Sequence, residues 1–125
     1  MSPLDKFNKK HYLNIETFRK NGLGVRTPVW FVKEEETLYI ITRGKSGKVK
    51  RLRNNRQVNI APCRIDGKPS GAWIPATARK VGDEETIQKV NRLMDKKYGL
   101  LKKIFGLGSA HESGTDIVLE IKPAD

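Results

Sequence analysis

Two hydroxyl side chains, two glycines and a lysine follow one another where a predicted strand meets a predicted short helix. Thr42 ends the strand, and Ser46, Gly47 and Lys48 open the helix after a turn at Gly44. Serine is a favoured helix N-cap, so the first free amides of the helix would point at a ligand in front of it. With the lysine ammonium, these groups are typical of a site for a phosphate monoester. The order of a Walker A loop is absent, and an ordinary strand-to-helix turn is the alternative.

The preceding strand carries a second set of candidate residues. Arg26, Pro28 and Trp30 alternate along the chain, so their side chains point to one face of a strand. If this strand pairs with the next one as a hairpin, Arg26 lies at the same end as Thr42 and faces the same anion. Trp30 offers an apolar surface to a planar ring, although a lone tryptophan is more commonly core. The backbone carbonyl and amide groups of the Pro28–Val29 segment could form hydrogen bonds with the edge of a heterocycle.

The charge of the chain favours an anionic partner. The net charge is +11 over 125 residues, and seven basic residues lie between Arg43 and Arg56. Nucleic acid, a membrane surface and a multiply charged small molecule all fit such a charge, as does a basic surface that serves only solubility. Tyr39 is the only aromatic residue near the basic run, and no nucleic-acid signature is present. We therefore expect a single phosphate rather than a polyanion.

Side chains for acid–base or metal chemistry are sparse. Cys63 is the only cysteine, and His11 and His111 are far apart in the sequence, so we expect no disulfide and no metal site. Arg64 could lower the pKa of Cys63, but a mid-strand cysteine is more simply a small core residue. We find no signal peptide and no membrane-spanning stretch, and we expect a cytoplasmic protein. If the protein is an enzyme, a cofactor carries the reaction.

Turn signals and periodicity predict one domain over residues 1–125, which is mainly β with two helices. The first three strands are expected to form a meander, and the long helix to begin at its N-cap Asp83. One face of that helix is apolar, with Ile87, Val90, Met94, Leu101 and Phe105. Six strands with two helical insertions predict a small, mostly antiparallel barrel. The predicted strands are 12–18, 25–33, 38–43, 57–65, 72–81 and 115–122, and the predicted helices are 46–55 and 84–105.

Five segments in order carry a resemblance to a known family: Thr17–Gly22, Thr27–Phe31, Leu38–Thr42, Ser46–Asn55 and Val58–Cys63. Together they resemble the pyridoxamine 5′-phosphate oxidase-like split-barrel proteins. The branch to which they are most similar is that of the flavin/deazaflavin-dependent oxidoreductases, which use FMN or coenzyme F-420. The resemblance implies a six-stranded antiparallel FMN-binding split barrel, a homodimer, and cofactor sites at the subunit interface.

The resemblance also implies roles for individual residues in holding the cofactor phosphate. In the family, the phosphate lies against a strand threonine and a Ser-x-Lys at the start of the following helix. These positions correspond here to Thr42, Ser46 and Lys48, and Gly47 lies between the last two. An arginine of the preceding strand corresponds to Arg26.

The resemblance places the cofactor ring along Pro28–Trp30 and suggests that Trp73 of the partner subunit closes the pocket. Two departures separate this chain from true pyridoxamine-phosphate oxidases. Those enzymes have a lysine where this chain has Phe31, and an Arg/His pair near the C-terminus that this sequence lacks. Oxidation of pyridoxamine phosphate is therefore not the activity that we expect.

The resulting expectation is an oxidoreductase that transfers hydride between FMN or coenzyme F-420 and an unknown small organic substrate. One alternative is a non-catalytic FMN-binding carrier or sensor. A second is a small RNA-binding barrel that uses the basic run 43–56, and a third is attachment of helix 84–105 to anionic membranes. We expect a homodimer and a flavin-type cofactor, and neither a metal, a membrane nor a nucleic acid as partner.

Overall fold

In a computed structural model, the structure describes the backbone of residues 2–44, 46–105 and 116–124, and the side chains of these residues except 100–105 and 116. The described residues form seven strands, two α-helices and a short 3-10 helix at Asp5–Phe7. The helices are α1 (Gly47–Asn54) and α2 (Glu84–Phe105). The strands are β1 (Tyr12–Phe18), β2 (Gly24–Val29), β3 (Val32–Glu34), β4 (Thr37–Arg43), β5 (Gln57–Cys63), β6 (Ile74–Val81) and β7 (Asp116–Pro123).

All seven strands of the described residues belong to one antiparallel sheet. Its order is β2-β1-β5-β6-β7-β4-β3. The sheet does not close, because β2 and β3 lie at its two edges. The mainly β, antiparallel architecture with two helices is confirmed, and it is consistent with a split barrel.

The predicted strand 25–33 is wrong in one respect, because it divides into β2 and β3 around Trp30 and Phe31. Strand pairing stops there because side chains form hydrogen bonds with the backbone amide and carbonyl of Phe31. The Phe31 amide donates to the Tyr98 hydroxyl at 3.0 Å, and the Phe31 carbonyl accepts from Lys97 Nζ at 2.9 Å. The described sheet therefore has seven strands where the sequence predicted six.

The division also overturns the predicted meander of three strands. The β1–β2 hairpin and the β3–β4 pair are both formed. However, β2 and β4 are not neighbours, because the chain passes at Trp30 and Phe31 from one edge of the sheet to the other. The predicted hairpin that was to bring Arg26 toward Thr42 is therefore not formed.

Two hydrophobic clusters occupy the two faces of β4, as its alternating pattern predicts. Leu38 and Ile40 belong to the main core, while Tyr39 and Ile41 belong to a second cluster under α2. From the predicted apolar face of α2, Val90 and Met94 are buried in the second cluster and Ile87 packs against it. The side chains of Leu101 and Phe105 lie outside the described residues.

Both α-helices begin where the sequence predicts. The side chain of Ser46 accepts the amide of Val49 at 3.4 Å, and the carboxylate of Asp83 accepts the amide of Thr86 at 3.0 Å. Each N-cap therefore satisfies one amide of the first turn that has no partner within the helix. In the part of the chain that the structure describes, no helix is long and apolar enough to span a membrane.

The burial of Lys97 makes stability depend on pH. Burial lowers the pKa of Lys97 to about 8 from its ordinary value of 10.5. Between pH about 8 and 10, the unfolded chain therefore holds more protons at this position than the folded chain. We expect the free energy of unfolding to rise with pH across this window, by about 1 kcal/mol after allowance for partial exposure.

Urea unfolding at several pH values measures this dependence. Above pH about 10 the trend should reverse, because burial raises the pKa of Tyr98 from its ordinary value of 10.0 and the unfolded chain loses that proton first. Lys97→Met keeps most of the apolar stem and removes the titrating group, so its profile should be flatter between pH 8 and 10. An equal rise in wild type and Lys97→Met would assign the effect to another group.

Candidate functional site

The junction between β4 and α1 brings together the predicted phosphate-binding residues. The amide of Ser46 donates to the carbonyl of Arg43 at 3.0 Å, which shapes the turn between the strand and the helix. The hydroxyls of Thr42 and Ser46 are 3.4 Å apart and hydrogen-bonded. Gly47 and Lys48 are the first residues of α1, so their amides have no acceptor within the helix. Hydroxyls and free amides therefore converge at one helix N-terminus.

Lys48 is half-buried at this junction. Its pKa lies below the ordinary value, first because of burial and second because of the positive charge of Arg51. Among the described residues, no carboxylate forms an ion pair with Lys48 or with Arg51. Removing a cation from water without a counterion is unfavourable. An anion bound between these two side chains would offset both the cost of burying Lys48 and the repulsion between the two positive charges.

Arg51 is a candidate site residue that the sequence analysis missed. Its Nε donates to the hydroxyl of the buried Thr17 at 2.5 Å, and its pKa is lowered by burial and then by Arg19. A Cβ placed on Gly47 would come within 2.7 Å of Arg51 Nη1. Gly47 therefore leaves room for this guanidinium over the first turn of α1. The spacing of Lys48 and Arg51, three residues apart on one helix, was the available signal.

We call these five residues, Thr42, Ser46, Gly47, Lys48 and Arg51, the phosphate cradle. They can offer a phosphate two hydroxyls, the free amides of a helix N-terminus and two cations. Hydrogen bonds to charged groups are worth about 1.5–3 kcal/mol each. Three or four such bonds are sufficient to hold a phosphate monoester, and a helix N-terminus adds a favourable dipole.

Arg26 lies on the edge strand β2 and has other partners. Its Nε is 2.9 Å from a carboxylate oxygen of Glu16, and its guanidinium carbon lies 4.6 Å from the ring centroid of Trp73. Hydrogen bonds from Asn59 and Arg26 lower the pKa of Glu16, which keeps this carboxylate charged. The structure thus brings together two predicted site residues, Arg26 and Trp73. Among the described residues, no hydrogen bond joins Arg26 to Thr42.

The three residues predicted to lie along a ring do not share one environment. Pro28 is exposed and pairs with Asn14 across the β1–β2 hairpin, whereas Val29 packs against the main core. Trp30 stacks on Tyr98, with centroids 4.3 Å apart and an angle of 2° between the planes. Trp30 therefore contributes to the second cluster, in line with its alternative interpretation as a core residue.

The structure also shows where the candidate groups for nucleophilic and metal chemistry lie. Cys63 is buried, and burial raises the pKa of its thiol, with Asp66 adding to the effect. The burial of Cys63 confirms its interpretation as a small core residue, and Arg64 pairs instead with Asp66 at 3.9 Å. Among the described residues, no three His, Cys, Asp or Glu side chains cluster as metal ligands would. His111 lies outside the described residues.

Comparison with known proteins identifies the family. A family model described as pyridoxamine 5′-phosphate oxidase matches residues 4–125. The chain belongs to the pyridoxamine 5′-phosphate oxidase family. The match confirms the resemblance carried by the five ordered segments, at the level of the family and its split-barrel fold. It does not separate the flavin/deazaflavin branch from the others.

Solved structures of the family have the same fold at low identity. The heme storage protein HutZ from Vibrio cholerae superposes with a TM-score of 0.71 at 18% identity, over 94% of this chain and 84% of HutZ. A candidate pyridoxamine 5′-phosphate oxidase from Listeria innocua gives 0.72 at 16%, over 98% and 90% of the two chains. An FAD-binding protein from Mesorhizobium loti gives 0.65 at 12%, over 100% and 90%. A search of curated proteins finds no match.

Proposed function

We propose that this protein is a flavin- or deazaflavin-dependent oxidoreductase that holds the cofactor phosphate in the phosphate cradle. The observation that carries the proposal is the pair of cations at the start of α1. Lys48 is half-buried beside Arg51, and neither has a carboxylate partner among the described residues. Such a pair is costly in the absence of an anion and favourable in its presence.

Two further points support a flavin as the occupant. Members of this family commonly bind FMN, and the structural neighbour from Mesorhizobium loti is an FAD-binding protein. FMN ends in a phosphate monoester, which suits hydroxyls, amides and an ammonium at a helix N-terminus. The net charge of +11 would also suit coenzyme F-420, which carries an acidic tail beside its phosphate.

The chain itself would contribute binding and orientation. When bound, the flavin-type cofactor supplies the hydride chemistry. Thr42 and Ser46 would fix the direction of the phosphate through their hydroxyls, while Lys48 and Arg51 neutralise its charge. Arg51 is itself held by the buried Thr17, so its guanidinium is positioned before the phosphate arrives. The substrate in this proposal is a small organic molecule of unknown identity.

The functional unit that we propose is a homodimer with cofactor sites between the subunits. Trp73 is only half-buried within one chain, so a second subunit can cover its exposed part. In this arrangement, Trp73 of the partner subunit would close the pocket over the cofactor. Arg26, which lies against Trp73 in the same chain, would then be close to the interface.

Titration of the purified protein with FMN, coenzyme F-420 and riboflavin tests the cofactor assignment. We expect saturable quenching of flavin or deazaflavin fluorescence at about one cofactor per subunit. Riboflavin lacks the phosphate, so it should bind at least about tenfold more weakly than FMN. Equal affinity for riboflavin and FMN would contradict the phosphate cradle, and no binding of either phosphorylated cofactor would contradict the proposed function. Light scattering on the same samples tests the dimer.

Turnover separates the oxidoreductase from the carrier or sensor. An oxidoreductase should exchange hydride between its bound cofactor and a nicotinamide or a small organic substrate, and the cofactor spectrum reports this directly. A carrier would bind the same cofactor and leave its redox state unchanged. The RNA-binding alternative would instead show affinity for oligonucleotides that falls log-linearly with salt concentration.

A further inference from the structure

A cavity of about 450 Å³ lies between α1, β6 and β7. Five aliphatic residues line it: Val49, Leu52, Ala78, Ile117 and Leu119. Small-molecule sites typically have volumes of roughly 300–1,000 Å³ and mainly apolar walls with a few polar groups. The cavity thus has the volume of a ligand site, and aliphatic and cationic residues share its lining.

The other lining residues are mainly cationic. Arg53, Arg56, Arg79 and Lys80 line the cavity, and no acidic residue is among its lining residues. Arg79 is neutralised by Glu120, which accepts from Nε at 2.8 Å and from Nη2 at 3.1 Å. Among the carboxylates whose side chains the structure describes, none forms an ion pair with the other three. The cavity therefore joins an aliphatic surface to three uncompensated positive charges.

The cavity lies on a different side of α1 from the phosphate cradle. Arg51 reaches toward β1, where it contacts Thr17, whereas Val49, Leu52 and Arg53 line the cavity. Residues three and four apart share a helix face, which explains why these three lie together. None of the five cradle residues lines the cavity. The inference that follows does not depend on the proposed function.

We propose that this cavity binds an amphipathic monoanion, an acyl chain that ends in a carboxylate. The aliphatic lining suits the chain, and guanidinium groups bind carboxylates through paired hydrogen bonds. No aromatic side chain lines the cavity to stack a base, which disfavours a nucleotide. The carbonyl of Arg56 accepts the amide of Ala78 at 3.0 Å, which fixes the Arg56 backbone against β6.

Calorimetric titration of the full chain with dodecanoate, below its micelle concentration, tests the ligand class. We expect saturable binding at one site per subunit. Dodecanol lacks the carboxylate and acetate lacks the chain, so each should bind at least about tenfold more weakly. Binding that does not saturate, or equal binding of dodecanol, would overturn the proposal.

Matched arginine variants test the location. Arg53→Gln/Arg56→Gln should weaken dodecanoate binding at least about tenfold, because it removes two cations of the cavity lining. Arg64→Gln/Arg92→Gln removes the same charge from exposed positions outside the cavity and should change the affinity less than about twofold. Equal weakening by both pairs would show only a general effect of charge and would overturn the site.

Two single variants and a competition experiment with FMN complete the test of the cavity. If Arg53→Gln/Arg56→Gln does not fold, Lys80→Gln should weaken binding by removing the third cation of the lining, and Ile117→Phe should do so by filling the cavity. Saturating FMN should leave the affinity for dodecanoate unchanged, since the cradle and the cavity share no residue. Displacement of dodecanoate by FMN would contradict a separate site, whereas failure of FMN to bind would count only against the proposed function.

Discussion

The double variant Ser46→Ala/Lys48→Ala is expected to lose FMN binding by about a hundredfold or more. Lys48 contributes a charged hydrogen bond of about 1.5–3 kcal/mol, and the Ser46 hydroxyl a further 0.5–1.5 kcal/mol or so. Their sum corresponds to about two factors of ten in Kd. The fold should stay intact, because the Ser46 amide still donates to the Arg43 carbonyl, and loss of the Ser46 N-cap costs only about 1 kcal/mol. Fluorescence titration with FMN measures the loss.

Two control variants separate ligand binding from helix capping. Ser46→Asp keeps a good N-cap but places a carboxylate where the phosphate would bind, so FMN binding should be lost with the melting temperature unchanged or raised. Lys50→Ala removes an exposed cation from the same helix and should leave the affinity for FMN within about twofold of wild type. Wild-type affinity in Ser46→Asp or in the double variant would disprove the phosphate cradle.

Substitution of Tyr98 should have the largest effect on stability. The side chain is fully buried, and its ring stacks on Trp30 at 4.3 Å. Its hydroxyl accepts from the Phe31 amide at 3.0 Å and lies 2.8 Å from the carbonyls of His11 and Phe31. We expect Tyr98→Ala to cost about 3–5 kcal/mol through the cavity that it leaves. Tyr98→Phe should cost about 1–3 kcal/mol, because the buried Phe31 amide loses its acceptor.

Urea unfolding followed by circular dichroism measures both losses. Tyr12→Phe is the matched control, since the Tyr12 hydroxyl makes no hydrogen bond to another described residue and the side chain is only half-buried. Its cost should stay within about 0.5 kcal/mol. If Tyr98→Phe were as mild as Tyr12→Phe, the Tyr98 hydroxyl would not be what ends β2 and starts β3.

Features that depend on neighbours along the chain could be predicted from the residues alone. The bounds of β1 and α2, the N-caps Ser46 and Asp83, and the two faces of β4 all follow from local spacing and residue type. Short-range patterns specify such features because alternation, helical periodicity and capping act within a few residues. The ordered family segments rest on the same local information, and the family match confirms them.

Features that depend on residues far apart in sequence are visible only in the folded chain. Strand 25–33 divides because Tyr98, 67 residues beyond Phe31, captures its backbone groups. Arg51 joins the phosphate cradle through Thr17, 34 residues earlier, and the cavity beside α1 needs strands β6 and β7 to complete it. A local pattern cannot indicate such contacts. Each of them closes a long loop, and the loss of chain entropy is offset only by packing and hydrogen bonds that form in the folded chain.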